Sequence, residues 1–338
     1  MHARTVIFPE PRQVELTEDD ISGPAENEIL IQGATSLIST GTELTAYSGD
    51  FPPNSAWSRY VRYPFHPGYS HVGRVTAAGM GVHDLGVGTR VTTWSPHTTL
   101  TRAAANGAIP IPDGVADEEA AFTSLGAIVL NGIRLAAIGL GDSVAIVGAG
   151  LLGQLAASLA ALSGARPVLV VDPAQRRLAL AERRGATTVI PLPVADAGEA
   201  VREATGGRGA DIVLEITGNP AVMPDAVRLA RRNGKVIVLG SPRGPSLIDL
   251  HDEVHTLGVQ IIGAHISTTP EAETPHTPWT RRRNSLLFLD LIAEGKLSVA
   301  DLITHRYRLA DAGDAYASLY ADRSQAMGVV LGLEQAAP

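Results

Sequence analysis

Residues 144–172, VAIVGAGLLGQLAASLAALSGARPVLVVD, restrict the fold more than any other part of the chain. An apolar run, Val144 to Val147, leads into Gly148, Gly150 and Gly153 in G-x-G-x-x-G spacing. A small-residue helical stretch follows, then a second apolar run that ends in Asp172. Strand, glycine turn, helix, strand and acid, in that order, describe a βαβ unit built to hold a dinucleotide. Gly148 permits the tight turn, Gly150 lets a pyrophosphate approach the backbone, and Gly153 lets helix and strand pack closely. The free amides of Leu151 and Leu152 would meet the phosphates at the positive end of the helix. Glycines alone would fit an ordinary tight turn; the two flanking strands and an acid about 20 residues on select the dinucleotide. A membrane span is the other reading of so apolar a run. Gly and Ala dominate it, Gln154 interrupts it, and a strand-to-helix break explains the glycines, so a span is not expected.

At 338 residues the chain has room for two domains, each with its own core. It has no cysteine, which excludes disulfides and every thiolate metal site. The N-terminal MHARTVIFPEP lacks an apolar core segment, so no signal peptide is expected and a cytoplasmic location is. The net charge is -8, and no basic run exceeds Arg281–Arg283, which reads as a solvated helix start. Nucleic acid is therefore not an expected partner, and neither is a membrane.

Ahead of the glycine turn, short apolar runs alternate with turn signals: TVIF, EILIQGATSLI, HVGRVTAAG and TRVTTW, with prolines and glycines between them. This predicts a small all-β domain of the barrel type. IPIPDGVADEEAAFTSLGAIVLNGIRLA then turns helical, with Asp117 as the expected cap, and leads into the nucleotide domain. From Asp142 the runs VAIVG, VLVVD, ATTVI, DIVLEI, KVIVLG and VQIIGAHI alternate with helical stretches, which predicts a doubly wound parallel sheet. The alternation stops near Thr268 in the loop TTPEAETPHTP; a helix over 283–294 and a last segment, RYRLADAGDAYASL, close the chain. The fold class is α/β.

Several landmarks stand in a specific order: a β domain containing GVHDLGVGTRV, then IPDGVADEEAA, then the nucleotide fold, then a return segment. In that order the chain resembles the medium-chain dehydrogenase/reductase superfamily, the alcohol-dehydrogenase-like proteins, over nearly its whole length. SLISTGTEL and PGYSHVGRV look like the branch that includes bacteriochlorophyllide dehydrogenase. The resemblance implies a GroES-like catalytic domain over 1–125, a Rossmann domain over 126–268, and a return segment over 269–338 that completes the first. It also implies NAD as cofactor, with NADP possible, and a homodimer joined along the last parallel strand. Zinc members of the superfamily carry Cys-Gly-Thr-Asp and Gly-His-Glu runs and a further Cys at the start of the bridging helix. Here those positions read Thr40-Gly41-Thr42-Glu43, Gly68-Tyr69-Ser70 and Ser124, so no zinc is expected. His251 and His255 stand four apart in HDEVH, but a solvated polar face is the expected role of that pair.

Without a metal, a developing alkoxide needs hydrogen-bond donors. Motif position nominates Thr40, Thr42, Glu43 and Tyr69 as catalytic residues, with His71 or His265 as lesser candidates. Tyr69 and Glu43 are expected to lie within hydrogen-bonding reach of each other. The cofactor contacts nominated are Gly148, Gly150, Leu151, Leu152, Gly153, Asp172, Arg177, Thr217, Ser241 and His265. Asp172 favours NAD, because a 2'-phosphate would meet its charge, while Arg176 and Arg177 could grip such a phosphate. Trp57, Tyr60, Tyr63, Phe65 and Tyr69 fall close together, as a pocket wall or as core, and Trp279 is placed to close over the same site. Three functions fit: a zinc-independent dehydrogenase for a small, ring-containing secondary alcohol or ketone; a quinone or enoyl double-bond reductase; and a nucleotide-binding protein without catalysis. Against the second, the segment where enoyl reductases carry a Tyr reads Gly49-Asp50-Phe51.

Overall fold

The computed structural model describes residues 1–333. In chain order the strands are β1 (His2–Ile7), β2 (Glu15–Asp20), β3 (Glu28–Leu37), β4 (His71–Ala78), β5 (Arg90–Thr93), β6 (Leu100–Ala104), β7 (Ile109–Pro110), β8 (Val144–Val147), β9 (Val168–Val171), β10 (Thr188–Ile190), β11 (Ala210–Glu215), β12 (Ala230–Val238), β13 (Gln260–Gly263), β14 (Ile303–Arg308) and β15 (Gly328–Gly332). The α-helices are α1 (Thr42–Ser48), α2 (Ala56–Tyr60), α3 (Asp117–Ala120), α4 (Thr123–Ala136), α5 (Leu151–Leu162), α6 (Gln175–Glu182), α7 (Gly198–Ala204), α8 (Met223–Arg228), α9 (Arg281–Ala293) and α10 (Ala312–Ala321). They form two units: residues up to Leu125 together with those from Arg282 on, and Gly126–Arg281.

The first unit is the GroES-like β domain. Its main sheet runs β14-β15-β3-β4-β5-β7, with β6 also paired to β3; β1 and β2 form a separate antiparallel pair. Strand β3 is the spine, because EILIQGATSL buries most of its length and pairs with β15, β4 and β6. Ile29, Ile31, Val75 and Val91 build one core cluster; Phe8, Tyr47, Tyr316 and Leu331 belong to another. Strand β2, ELTEDD, was not predicted from sequence. It carries almost no apolar alternation and is held by its register with β1, from His2 opposite Asp20 to Ile7 opposite Glu15. Asp117 is not a cap: α3 is capped at Ala116, whose amide donates to Glu119, and Asp117 accepts two bonds from Arg90.

The second unit is a six-stranded, all-parallel sheet in the order β10-β9-β8-β11-β12-β13. That is the doubly wound Rossmann order, with the reversal between β8 and β11, where such folds bind ligands at the carboxyl ends of the strands. Val147, Val171, Val213 and Val236 pack into one core cluster with Met223 and Val227 of α8. This unit runs on to Arg281 instead of stopping at 268. A physical reason is at hand: the Arg134 guanidinium lies 3.5 Å from the centre of the Trp279 ring, tying the end of the proline-rich loop to α4.

Candidate functional site

In the second unit the glycine turn has the shape the sequence predicts. Gly148 adopts φ 102°, a conformation that favours glycine. A Cβ on Gly150 would meet nothing within 4 Å, so the backbone there is open to a ligand; a Cβ on Gly153 would clash with the carbonyl oxygen of Gly148. Gly150 caps α5, whose first residues are Leu151 and Leu152, so their amides have no intrahelical partner. Asp172 is buried, with Oδ2 accepting from the Ala149 amide at 2.8 Å and Oδ1 from the Ala174 amide at 2.8 Å. Gln154 donates to the carbonyls of Ala149 and Arg177, both at 2.9 Å, which braces the turn against α6. Thr217 and Ser241 are exposed past the ends of β11 and β12. His265 is exposed and turned on its own loop, with Nδ1 2.7 Å from the Ser267 hydroxyl. These residues fit a dinucleotide: an open backbone at Gly150, free amides behind it and an anchored acid at Asp172.

In the first unit, Ser39 to Glu43 bend out of β3 into α1 and carry a polar cluster. Glu43 is 1% exposed and is the hub. Its Oε1 accepts from the Ser39 amide at 2.9 Å; its Oε2 accepts from the Tyr316 hydroxyl of α10 and lies 2.9 Å from His97 Nε2. A carboxylate partner requires Nε2 to carry a proton, and Nδ1 lies 2.6 Å from the Ser36 hydroxyl. Burial pushes the Tyr316 hydroxyl well above its ordinary pKa, with the charge of Glu43 adding to it, so it stays a donor.

Tyr69 is half-buried beside this hub. Its hydroxyl donates to Ser39 Oγ and lies 3.5 Å from Thr42 Oγ1, and its ring stacks on Trp94 with centroids 5.7 Å apart. Ser124 donates to the Tyr69 carbonyl at 2.6 Å. Desolvation raises the Tyr69 pKa above 10.0 and the Glu43 charge adds to it, against bonds from Ser39 and Thr42 that lower it. The expected Tyr69–Glu43 hydrogen bond is replaced by an indirect link through Ser39, whose hydroxyl meets Tyr69 and whose amide meets Glu43. Thr40 is half-buried at the same bend. Sequence reading nominates none of Ser36, Ser39, His97 and Tyr316. The available signal was Glu43 itself, a charge within the apolar helix TELTAYS that needed donors.

The other aromatics separate from Tyr69. Trp57, Tyr63 and Phe65 pack against the core cluster around Phe8, and Tyr60 meets Trp57 and Phe65 edge-on. They are core and its margin. Trp94 instead of these supplies the ring beside Tyr69.

His71 is fully buried, with Nε2 donating to the Thr98 carbonyl at 3.1 Å. Gly33 makes room for that bond, since a Cβ there would stand 2.6 Å from the Thr98 oxygen and 2.8 Å from His71 Nε2. Desolvation lowers the His71 pKa from 6.5 to about 4, so the ring is neutral at pH 7 and is a poor proton handler there. Between these two values the unfolded chain binds a proton that the folded one does not, so stability falls as the pH drops. The shift corresponds to about 3 kcal/mol lost from pH 7 to below pH 4. Urea unfolding across that range should show this slope, and His71→Leu should flatten it; an equal slope in the variant would refute the assignment.

The zinc-binding dehydrogenase family matches residues 152–279. D-guloside 3-dehydrogenase of Escherichia coli (strain K12) is 26% identical, with 96% of this chain and 97% of the relative aligned. An E. coli oxidoreductase/dehydrogenase of unknown specificity involved in membrane biogenesis superposes with TM-score 0.85 at 22% identity, covering 99% of this chain and 100% of the other. A protein described as a short chain alcohol dehydrogenase of E. coli CFT073, complexed with NADH, superposes with TM-score 0.81 at 20% identity, covering 98% of this chain and 99% of the other. The chain is thus similar to curated dehydrogenases over nearly its whole length, and to the zinc-binding dehydrogenase family over 152–279.

Because the matching family is described as zinc-binding, zinc is the metal to test. The positions nominated by motif hold the hydroxyls of Thr40, Tyr69, Ser70 and Ser124 and one carboxylate, Glu43, which is engaged by Ser39, His97 and Tyr316, while zinc takes several thiolate, imidazole or carboxylate ligands. Tyr69 and Ser124 are committed to protein partners. Among the described residues no group of three or more His, Cys, Asp or Glu side chains could hold a metal ion. The His251 and His255 rings lie 5.9 Å apart, and His251 pairs with Asp252. The donor set does not fit zinc. Among the described residues no helix is long and apolar enough to cross a membrane.

Proposed function

We propose that this chain is a medium-chain dehydrogenase/reductase, a zinc-independent oxidoreductase that moves a hydride between NAD(H) and a secondary alcohol or ketone of a small, ring-containing biosynthetic metabolite. The observation that carries the reading is the hydroxyl set Tyr69–Ser39–Thr42, in which Tyr69 holds the position where the resemblance puts a zinc-binding His. The dinucleotide supplies the hydride acceptor or donor. Gly148 to Gly153 would receive its pyrophosphate and Asp172 its ribose hydroxyls. The buried charge of Asp172 disfavours a 2'-phosphate, which is the reason to expect NAD.

Tyr69 would meet the substrate oxygen. Hydroxyl rotors turn, so Ser39 can donate to Tyr69 and release the phenolic proton to the substrate. In ketone reduction the oxygen gains negative charge and takes that proton; in oxidation the proton returns by the same route. A raised pKa keeps Tyr69 protonated until the oxyanion forms. The Tyr69–Trp94 stack offers a flat apolar surface to a sugar-like ring, which agrees with the activity named for D-guloside 3-dehydrogenase. The narrower likeness to the bacteriochlorophyllide dehydrogenase branch rests on SLISTGTEL and PGYSHVGRV alone.

The test is a chelator-dialysed protein assayed with NAD+ and NADP+ on glycosides and sugar alcohols. Turnover should survive dialysis, with kcat/KM at least about 10-fold higher for NAD+. Stoichiometric zinc with activity lost on chelation would overturn the metal-free reading, and equal kcat/KM values would overturn the cofactor preference.

The second unit also carries the basis for assembly. Strand β13 pairs only with β12 among the described residues, and Ile261 on it is 38% exposed. An exposed apolar edge invites a second strand, and two copies related by a two-fold axis would satisfy both edges at once. A homodimer is expected at micromolar concentration by light scattering, split by Ile261→Lys; a monomeric mass for the unmodified protein refutes it.

A further inference from the structure

At the carboxyl end of β11 stands a carboxylate that the reaction above does not use. Glu215 is 1% exposed and follows Ile212, Val213 and Leu214. Its neighbours in register are Val147 of β8 and Val238 of β12. A carboxylate in such surroundings is costly unless donors meet it, and desolvation raises its pKa against the bonds from Thr217 and the Gly218 amide that lower it. Both Thr217 bonds go to one oxygen. Oε1 accepts the Thr217 amide at 2.7 Å and the Thr217 hydroxyl. Thr217 is itself exposed, and its Oγ1 accepts from the Asn219 amide at 3.0 Å.

This clamp reaches the glycine turn. Thr217 Cγ2 stands 3.0 Å from the place a Cβ on Gly148 would take, and a Cβ on Gly218 would stand 2.9 Å from the Ser241 carbonyl oxygen. The 215–218 turn is thus wedged between Gly148, which opens the cofactor loop, and Ser241. For the fold alone, an apolar residue at 215 would pack with the cluster around Val213 at less desolvation cost. The carboxylate adds a fixed position for Thr217.

We propose that Glu215 is a positioning residue for the dinucleotide: by fastening the amide and hydroxyl of Thr217 to one buried oxygen, it holds Thr217 against the Gly148 turn and so sets cofactor affinity. The inference rests on the reading that this unit binds NAD(H). Fluorescence titration of the full-length protein with NADH tests it. Glu215→Ala should weaken NADH about 10-fold, the loss of a hydrogen bond to a charged group. Glu215→Gln, whose carbonyl oxygen can still take both Thr217 bonds, should stay within about 3-fold of the wild type. Combining Glu215→Ala with Thr217→Val should weaken binding no further than the alanine change alone, because both remove one contact. A folded alanine variant that binds NADH as the wild type does would overturn the proposal. Should the alanine variant not fold, Thr217→Val decides: weakening of about 5-fold supports the clamp, and an unchanged Kd overturns it. A wild type that does not bind NADH would overturn the cofactor reading as well, whereas wild-type binding with unchanged variants overturns the proposal alone.

Discussion

Glu43→Ala should lower folding stability by about 3–5 kcal/mol, the cost of removing one partner from a buried charged network. The carboxylate is 1% exposed and holds the Ser39 amide, the His97 ring and the Tyr316 hydroxyl, which belong to three separate stretches of the first unit. Alanine leaves all three without an acceptor in a place water does not reach, and adds the volume of the lost side chain. Glu43→Gln keeps one carbonyl oxygen but sets an amide donor against another donor, so it should cost about 1–3 kcal/mol. Urea midpoints at constant slope measure both. A loss below about 1 kcal/mol for alanine would mean that the cluster rearranges around other acceptors, and the hub would be refuted. The same geometry bears on catalysis. Glu43 reaches Tyr69 only through Ser39, so Glu43→Gln should lower kcat less than loss of the Tyr69 hydroxyl does.

The contrast between the two units explains what could be read from residues alone. The six apolar runs from VAIVG to VQIIGAHI all became parallel strands; for inner strands such as β8, β9 and β11, burial on both faces is written as a continuous apolar stretch. The glycine turn was legible for a related reason: its chemistry lies within ten residues, and Gly148, Gly150 and Gly153 each have a local geometric task. Strand β2 left no such trace, since ELTEDD is held by its partner strand and not by its own pattern. The polar cluster was half legible. Motif position pointed to Thr42, Glu43 and Tyr69, but the groups that satisfy Glu43 lie 54 and 273 residues away. Nothing in the periodicity of DAYASL announces that Tyr316 will donate to it. A buried charge declares that it has partners; only the fold says which.

Tyr69→Phe should lower kcat about 10²-fold or more while NADH binding stays intact, because it removes the donor proposed to meet the substrate oxygen and nothing that touches the dinucleotide. Phenylalanine keeps the ring that stacks on Trp94 at 5.7 Å, so the surface offered to the substrate is preserved and stability should change by about 1 kcal/mol at most. The loss should therefore appear in kcat, with little change in substrate KM, the pattern of an interaction made mainly in the transition state. The pH profile separates this role from general base catalysis by a phenolate. Burial and the Glu43 charge hold the Tyr69 proton above its ordinary value of 10.0, so no activity should be gained or lost through Tyr69 ionisation below about pH 10. Ser39→Ala supplies the intermediate case: Tyr69 keeps its proton but loses the partner that orients it, and kcat should fall by about 10-fold. If Tyr69→Phe retains kcat within about threefold of the wild type, the substrate oxygen must find its donor elsewhere, and Thr42 becomes the first residue to test.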